Sequence, residues 1–330
     1  MARLILTFDY LAEGAHKCAD VVDCVVAFRC NFVWGKLKSN DSLKTLFSQR
    51  PAKRVFEHWT EGLEGRSLTA TEIRNLGLIE FCEGFDAIEL WADPAPNTQL
   101  QLIWLLDHLR FHTSVTSRLR LVQSARIDNH RPEDWIAQRP RAVSIHADDL
   151  ALAATAWAAW RAPTPVEWFN LLSQDLSPLP QLRNTIIALL EELPGRTTGL
   201  GATEMRMLEL LASGYVHPYD LFPKYERPNE RITYGFWEAG NLLDGLARSA
   251  QPAVSGLTEG PFDGAMHVSN ERLTRYENST LALTDLGNAI LAGADDFGRH
   301  NPIHRWWGGT ELTNDCLWRW DSANRRLVAP

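Results

Sequence analysis

The chain has 330 residues, 45% of them hydrophobic and 22% charged, with a formal net charge of −8. That balance fits an ordinary soluble protein of two or three domains, and no apolar run approaches the ~20 residues of a membrane span, which excludes a membrane partner. Five cysteines (Cys18, Cys24, Cys30, Cys82, Cys316) are an odd set in a long chain and point to a reduced, cytoplasmic compartment.

Residues 1–146 read as a Rossmann-like α/β domain. Leu4 to Phe8, Cys24 to Phe28, Ala87 to Trp91 and Leu119 to Val122 are short apolar runs. Such runs separated by helices predict a parallel sheet covered on both faces. Leu11 to Asp20 has helical composition, and Leu100, Ile103 and Trp104 mark an amphipathic helix from about Thr98 to Leu109. Residues 147–195 read as a helical connector. Its pieces are Ala-rich Asp148 to Trp160, a shorter helix at Val166 to Leu172, and a helix from Leu182 to Leu193 stopped by Pro194-Gly195.

Residues 196–330 carry helix punctuation in winged-helix order, followed by a Trp-rich β segment. Thr203 is expected to cap a helix with Met205, Leu208, Leu211 and Ala212 inward, ended by Gly214. His217 to Phe222 is a short second helix. Ile232 to Arg248 is the third, with Phe236, Ala239, Leu243 and Leu246 inward and Glu238, Asn241, Asp244 and Arg248 outward. Val254 to Leu257 and Ser279 to Leu283 are wing strands, and Thr284 caps a last helix with Leu286, Ile290 and Leu291 inward. Trp306, Trp307, Trp318 and Trp320 read as a lid over this core.

Charge bears on what such a module binds. Residues 1–163 hold 19 basic and 20 acidic side chains, whereas residues 164–330 hold 14 and 21. Phosphate contacts supply most non-specific DNA affinity, so a DNA reader needs a basic face. The acidic half, with two carboxylates expected on its third helix, counts against a nucleic-acid partner and favours a protein contact or a homodimer.

In open parallel sheets, ligands bind outside the carboxyl ends of the strands. Asp9, Arg29, Asn31 and Asp93 each follow a predicted strand end, with Trp34 and Gln99 close by in sequence. Arg29 suits a phosphate or carboxylate, and Asp9 and Asn31 suit a sugar or water. The bland alternative is that Asp9 and Asp93 cap helices while Arg29 pairs with one of them. Gly199-Leu200-Gly201 lacks the third glycine of a dinucleotide fingerprint, and no phosphate-loop lysine or nucleophile elbow is present. No cofactor is implied. Cys18, Cys24 and Cys30 do not converge as zinc ligands, since Cys24 lies inside a strand. His300 and His304 are separated by Pro302, and Glu57-His58 and Asp148-Asp149 read as solvated helix residues.

The order of these pieces resembles a bacterial family of unknown function, number eighteen thirty-five in the domain-of-unknown-function series. The resemblance rests on Phe8-Asp9, Arg29 to Gly35, Ile88 to Trp91 with Gln99-Leu100, and Leu193 to Leu200. It continues through Leu283 to Gly293, Arg305 to Gly309 and Trp318 to Asp321. The family has Asp where this chain has Asn31 and Pro where it has Lys36, so an acid–base role for that loop does not carry over. The resemblance implies an architecture and no known reaction.

Three function classes follow. The preferred one is a non-catalytic sensor or adaptor whose α/β layer holds a small anionic ligand or a protein segment. The alternatives are a hydrolase or transferase acting at the strand-end rim, and a winged-helix DNA-binding regulator.

Overall fold

The computed structural model describes residues 2–8, 23–65, 73, 75–123, 141–224, 227 and 232–330. The chain is mixed α/β and divides into two compact units. Met1–Phe32, Lys36–Arg161 and Asn170–Thr185 form the first; Val33–Gly35, Ala162–Phe169 and Ile186–Pro330 form the second. Of the residues expected as a connector, 147–161 and 170–185 thus fall in the first unit, and 162–169 and 186–195 in the second.

The first unit contains β1 (Arg3–Phe8), β2 (Cys24–Phe28), α1 (Asn40–Thr45), β3 (Leu63–Gly65), α2 (Leu78–Glu83) and β4 (Ala87–Ala92). It continues with α3 (Pro96–Leu109), α4 (Thr113–Thr116), β5 (Leu119–Gln123), β6 (Val143–Ser144) and α5 (Ala147–Trp160). One six-stranded sheet runs β3-β2-β1-β4-β5-β6. The inner four strands are parallel and are the four apolar runs of the sequence, while β3 and β6 pair antiparallel at the edges. The edge strands escape sequence reading because they are short, and both β6 residues are exposed. The expected helix at Leu11 to Asp20 lies outside the described residues.

Proline at the first position opens α3, where a missing N–H costs nothing. This helix is buried almost all round, which blurs its amphipathic period. Trp104 stacks on Phe47 at 4.4 Å and meets the edges of Phe32 at 5.1 Å and Phe28 at 6.1 Å. α5 packs along α3, where Trp157 sits 5.0 Å from Phe32 and the Trp160 indole donates to the Phe32 carbonyl at 3.1 Å. Each such side chain contributes about 1.5–3 kcal/mol by leaving water.

The second unit holds α6 (Val166–Asn170, whose last residue belongs to the first unit) and α7 (Leu182–Glu191), which starts in the first. It continues with α8 (Ala202–Ala212), α9 (Pro218–Leu221), α10 (Phe236–Arg248), β7 (Val254–Ser255), α11 (Gly264–Val268) and α12 (Asn270–Glu277). β8 (Ala282–Leu283), α13 (Asp285–Leu291) and α14 (Phe297–His300) precede β9 (His304–Trp307), β10 (Thr310–Thr313), β11 (Arg319–Asp321) and β12 (Arg326–Val328). The helices α8, α9 and α10, the antiparallel pair β7–β8 and then α13 follow the order of a winged helix, with α8 packed on α9, α10 and α13.

Several details differ from the sequence reading. The wing strands are two residues each, and two capped helices, α11 and α12, stand between them. Gly201, not Thr203, is the N-cap of α8, and Thr203 sits in its first turn. The buried face of α8 is Met207, Leu208, Leu210 and Leu211, leaving Ala212 exposed. Phe236 is 42% exposed, while Glu238 and Asp244, expected outward on α10, are buried. Glu238 Oε2 accepts the Gly235 N–H, and Asp244 accepts the Phe262 N–H and pairs with Arg248 at 3.1 Å. Backbone donors at a helix start and in the wing draw these carboxylates inward. The exposed stripe of α10 is Trp237, Asn241, Gly245 and Arg248. Thr284 does cap α13, accepting the Gly287 N–H.

The Trp-rich segment forms two hairpins, β9–β10 and β11–β12. Trp307 donates to the Leu189 carbonyl at 2.8 Å. Trp320 exchanges backbone bonds with the loop after α7, donating to Pro194 and accepting from Arg196. In that loop Gly199 has φ +70°, and an added Cβ would stand 2.5 Å from Asp296 Oδ1, so the Gly199-Leu200-Gly201 run serves packing. No helix among the described residues is long and apolar enough to cross a membrane.

Candidate ligand site at the strand ends of the first unit

Strand order locates the site. From β1 the chain moves to β2 on one side, and the next parallel strand, β4, lies on the other. The direction of winding therefore reverses between β1 and β4, the position at which open α/β sheets bind ligands. Two described loops flank the end of β1 at Phe8: the one leaving β2 at Arg29 and the one leaving β4 at Asp93.

The loop after β2 alternates. Cys30 and Phe32 are buried, while Arg29 and Asn31 are exposed. Two amides on α3 hold its backbone. Asn97 accepts the Phe32 N–H at 2.8 Å and donates to the Cys30 carbonyl at 2.9 Å, and Gln101 Oε1 accepts the Cys30 N–H at 3.2 Å. Asn97 thus gives this segment the donor and acceptor that a neighbouring strand would give. The Arg29 guanidinium lies 5.6 Å over the Phe56 ring, a placement that orients the cation without neutralising it.

The loop after β4 is a turn into α3. Asp93 Oδ1 accepts the Ala95 N–H at 2.9 Å and so closes the turn before α3, whose N-cap is Ala95 and carries no side-chain cap. The first turn of α3 carries no acidic side chain, and its leading N–H groups form the positive end of the helix dipole.

The six residues named from the sequence thus have different surroundings. Arg29 and Asn31 share the loop after β2, and Asp93 ends β4. Gln99 is fully buried, its amide donating to the Asp93 carbonyl at 2.6 Å and to Gln181 Oε1 at 2.8 Å. Trp34 belongs to the second unit, where its ring meets Tyr234 at 5.5 Å. Asp9 lies outside the described residues. Sequence reasoning missed Asn97 and Gln101; the signal was the amide side chains Asn97, Gln99 and Gln101 opening a helix whose middle, Leu102 to Leu106, is apolar.

Other candidates lose their chemistry in three dimensions. Burial pushes the Cys24 thiol up to about 11 and the Cys82 thiol up to about 12, so neither is a ready nucleophile. Cys18 lies outside the described residues, and no three His, Cys, Asp or Glu side chains among those described gather as metal ligands would. His58, expected in solvent, is 3% exposed and caps a 3₁₀ turn at Trp59–Gly62, where burial holds its ring below the ordinary histidine value. His300 pairs with Asp295 at 2.9 Å and His304 with Glu311 at 2.8 Å.

No protein-family model matches the chain, and no curated protein matches it with significance.

Proposed function

We propose that the chain is a bacterial cytoplasmic sensor or adaptor, related to the family it resembles, whose first unit binds a small anionic ligand at the ends of β1, β2 and β4. The observation that carries this reading is the loop after β2. Its backbone is fixed by Asn97 and Gln101, while Arg29 and Asn31 point outward beside a helix start that has no acidic side chain. A loop that only packed the core would have no need to be held in place while presenting polar side chains. Arg29 would take the anion, and Asn31 and the first turn of α3 would orient it. The buried Cys24, Cys30 and Cys82, all free thiols, suit a reducing compartment. The winged-helix portion would then serve as a docking or dimer surface.

The test is thermal melting of the full chain with inorganic phosphate, nucleotides and sugar phosphates. A ligand at a hundred times its Kd stabilises by about 2.7 kcal/mol. Arg29→Ala with Asn31→Ala should abolish that shift. A shift that survives both changes, or none with any anion at millimolar concentration, sinks the reading.

A second reading has its own support. With Glu238 and Asp244 buried, the outer stripe of α10 is Trp237, Asn241, Gly245 and Arg248, the last reaching back to Asp244 at 3.1 Å. Nucleic-acid binding through that helix would show as salt-dependent DNA retention, lost on Arg248→Glu.

A further inference from the structure

The second unit encloses a group of ionisable side chains that the strand-end rim does not use. Glu192 follows the end of α7 and turns its carboxylate onto the first turn of α8. There the Thr203 hydroxyl donates to Oε1 at 2.6 Å and the Thr203 N–H donates to Oε2 at 3.1 Å. One residue on, Glu204 Oε2 accepts the Gly201 N–H at 2.8 Å and the Arg305 guanidinium of β9 at 3.0 Å. Thr233 and Tyr234 close the group from the segment before α10, and Glu238 from α10 itself. Glu192, Glu204, Thr203, Thr233 and Tyr234 are buried, and the Arg305 side chain is 24% exposed.

The packing leaves little room to relax. A Cβ on Gly201 would stand 2.8 Å from the Glu192 carbonyl oxygen, so the loop from Glu192 to Gly201 lies directly against the start of α8. The charges do not balance within it. Two carboxylates, Glu192 and Glu204, share one guanidinium, whose hydrogen bond goes to Glu204. Tyr234 is held neutral by burial, which, with Glu192, Glu204 and Glu238 around it, drives its hydroxyl well above its ordinary value. Among the described residues, the charged group that bears most on Glu192 is the Glu204 carboxylate.

We infer that Glu192, Thr203, Glu204, Tyr234 and Arg305 form a buried binding site for a single proton, which couples the packing of the second unit to pH. With the proton on Glu192, the pair Glu204–Arg305 is self-compensated. The Thr203 hydroxyl reverses to accept from the new O–H, while the Thr203 N–H keeps the other carboxyl oxygen. When the proton leaves to solvent, Glu192 becomes a buried anion beside the Glu204 carboxylate. Burial is the main cause that pushes its carboxyl up from 4.5 to about 7; the hydrogen bonds from Thr203 and Thr233 oppose it, and Glu204 adds to it. An acid raised in the folded state binds its proton more tightly there than in the unfolded chain. Stability of this unit is therefore greatest below the unfolded value, falls as pH rises from 4.5 to about 7, and is flat above. Over that window the unfolding constant should rise on the order of a hundredfold.

The test uses the full chain with carbon-13 on the glutamate carboxyls, titrated by NMR beside Glu192→Gln. One carboxyl titrating near neutrality, missing from the variant, is expected. Amide exchange in α8 and β9 should be faster at about pH 8 than at about pH 6 after correction for intrinsic rates, and pH-independent in Glu192→Gln. A spectrum in which every carboxyl titrates below about pH 6, or a variant that keeps the wild-type slope, overturns the inference. If Glu192→Gln does not fold, Thr203→Val decides the matter. Removing a hydrogen bond that lowers the carboxyl should move the midpoint up, and a midpoint that stays or falls refutes the site.

Discussion

The two units treat polar side chains in opposite ways. At the strand ends of the first, Asn97 and Gln101 spend their amides on the backbone of residues 30–32, and the charged side chain, Arg29, stays in water. At the start of α8 in the second, the charges themselves are taken inside, and Glu192, Glu204 and Arg305 compensate one another incompletely. The first arrangement costs little to build and keeps its charge at the surface. The second makes the fold depend on protonation. A rim of this kind suits recognition, and an interior of this kind suits response.

Four substitutions test that contrast, the most damaging first. Arg305→Met should destabilise the second unit by about 3 kcal/mol, because Glu204 and Glu192 are left buried without a cation; denaturant unfolding followed by tryptophan fluorescence reads this directly, and a loss under about 1 kcal/mol would mean the guanidinium does not compensate them. Asn97→Ala should cost about 1–3 kcal/mol, since the Phe32 N–H and Cys30 carbonyl lose their partner. The same change should weaken anion binding although Arg29 is untouched, and unaltered binding would show that the loop needs no clamp. Thr284→Ala should cost about 1 kcal/mol through the cap of α13, a local effect measurable by the same unfolding curves. Arg29→Ala should leave stability within about 0.5 kcal/mol while abolishing the anion-induced shift in melting. A larger loss would place Arg29 among the structural residues.

The legibility of the fold followed the same division. The four inner strands were readable to within a residue because a parallel strand covered on both faces must be mostly apolar, as Leu4 to Phe8, with only Thr7 polar, and Cys24 to Phe28 are. The α13 cap was readable because Thr284 precedes its helix at the spacing capping requires. The edge strands β3 and β6 were not, being too short to show a period, and neither were α11 and α12, whose caps at Asp263 and Ser269 sit in a polar stretch with few apolar positions. Arg29, Asn31 and Asp93 were named by position after strand ends, and they do follow β2 and β4. Trp34 and Gln99 were named by the same logic, but proximity in sequence does not set where a side chain points. Trp34 joins the second unit on Tyr234, and Gln99 turns inward to Gln181.

Composition and pattern alone determined the class of the protein: an α/β sheet followed by helices in winged-helix order, with the acidic excess in the second half. These are properties of local runs and counts. Only the tertiary structure decided where the carboxylates go. Glu238 and Asp244 read as outward charges until the Gly235 and Phe262 N–H groups, brought close by folding, drew them in. Nothing in the sequence singles out Glu192; burial, with Glu204 beside it, raises its affinity for a proton. The physical reason is common to both. A charge's energy depends on the dipoles and dielectric around it, and those are set by residues far away in the chain.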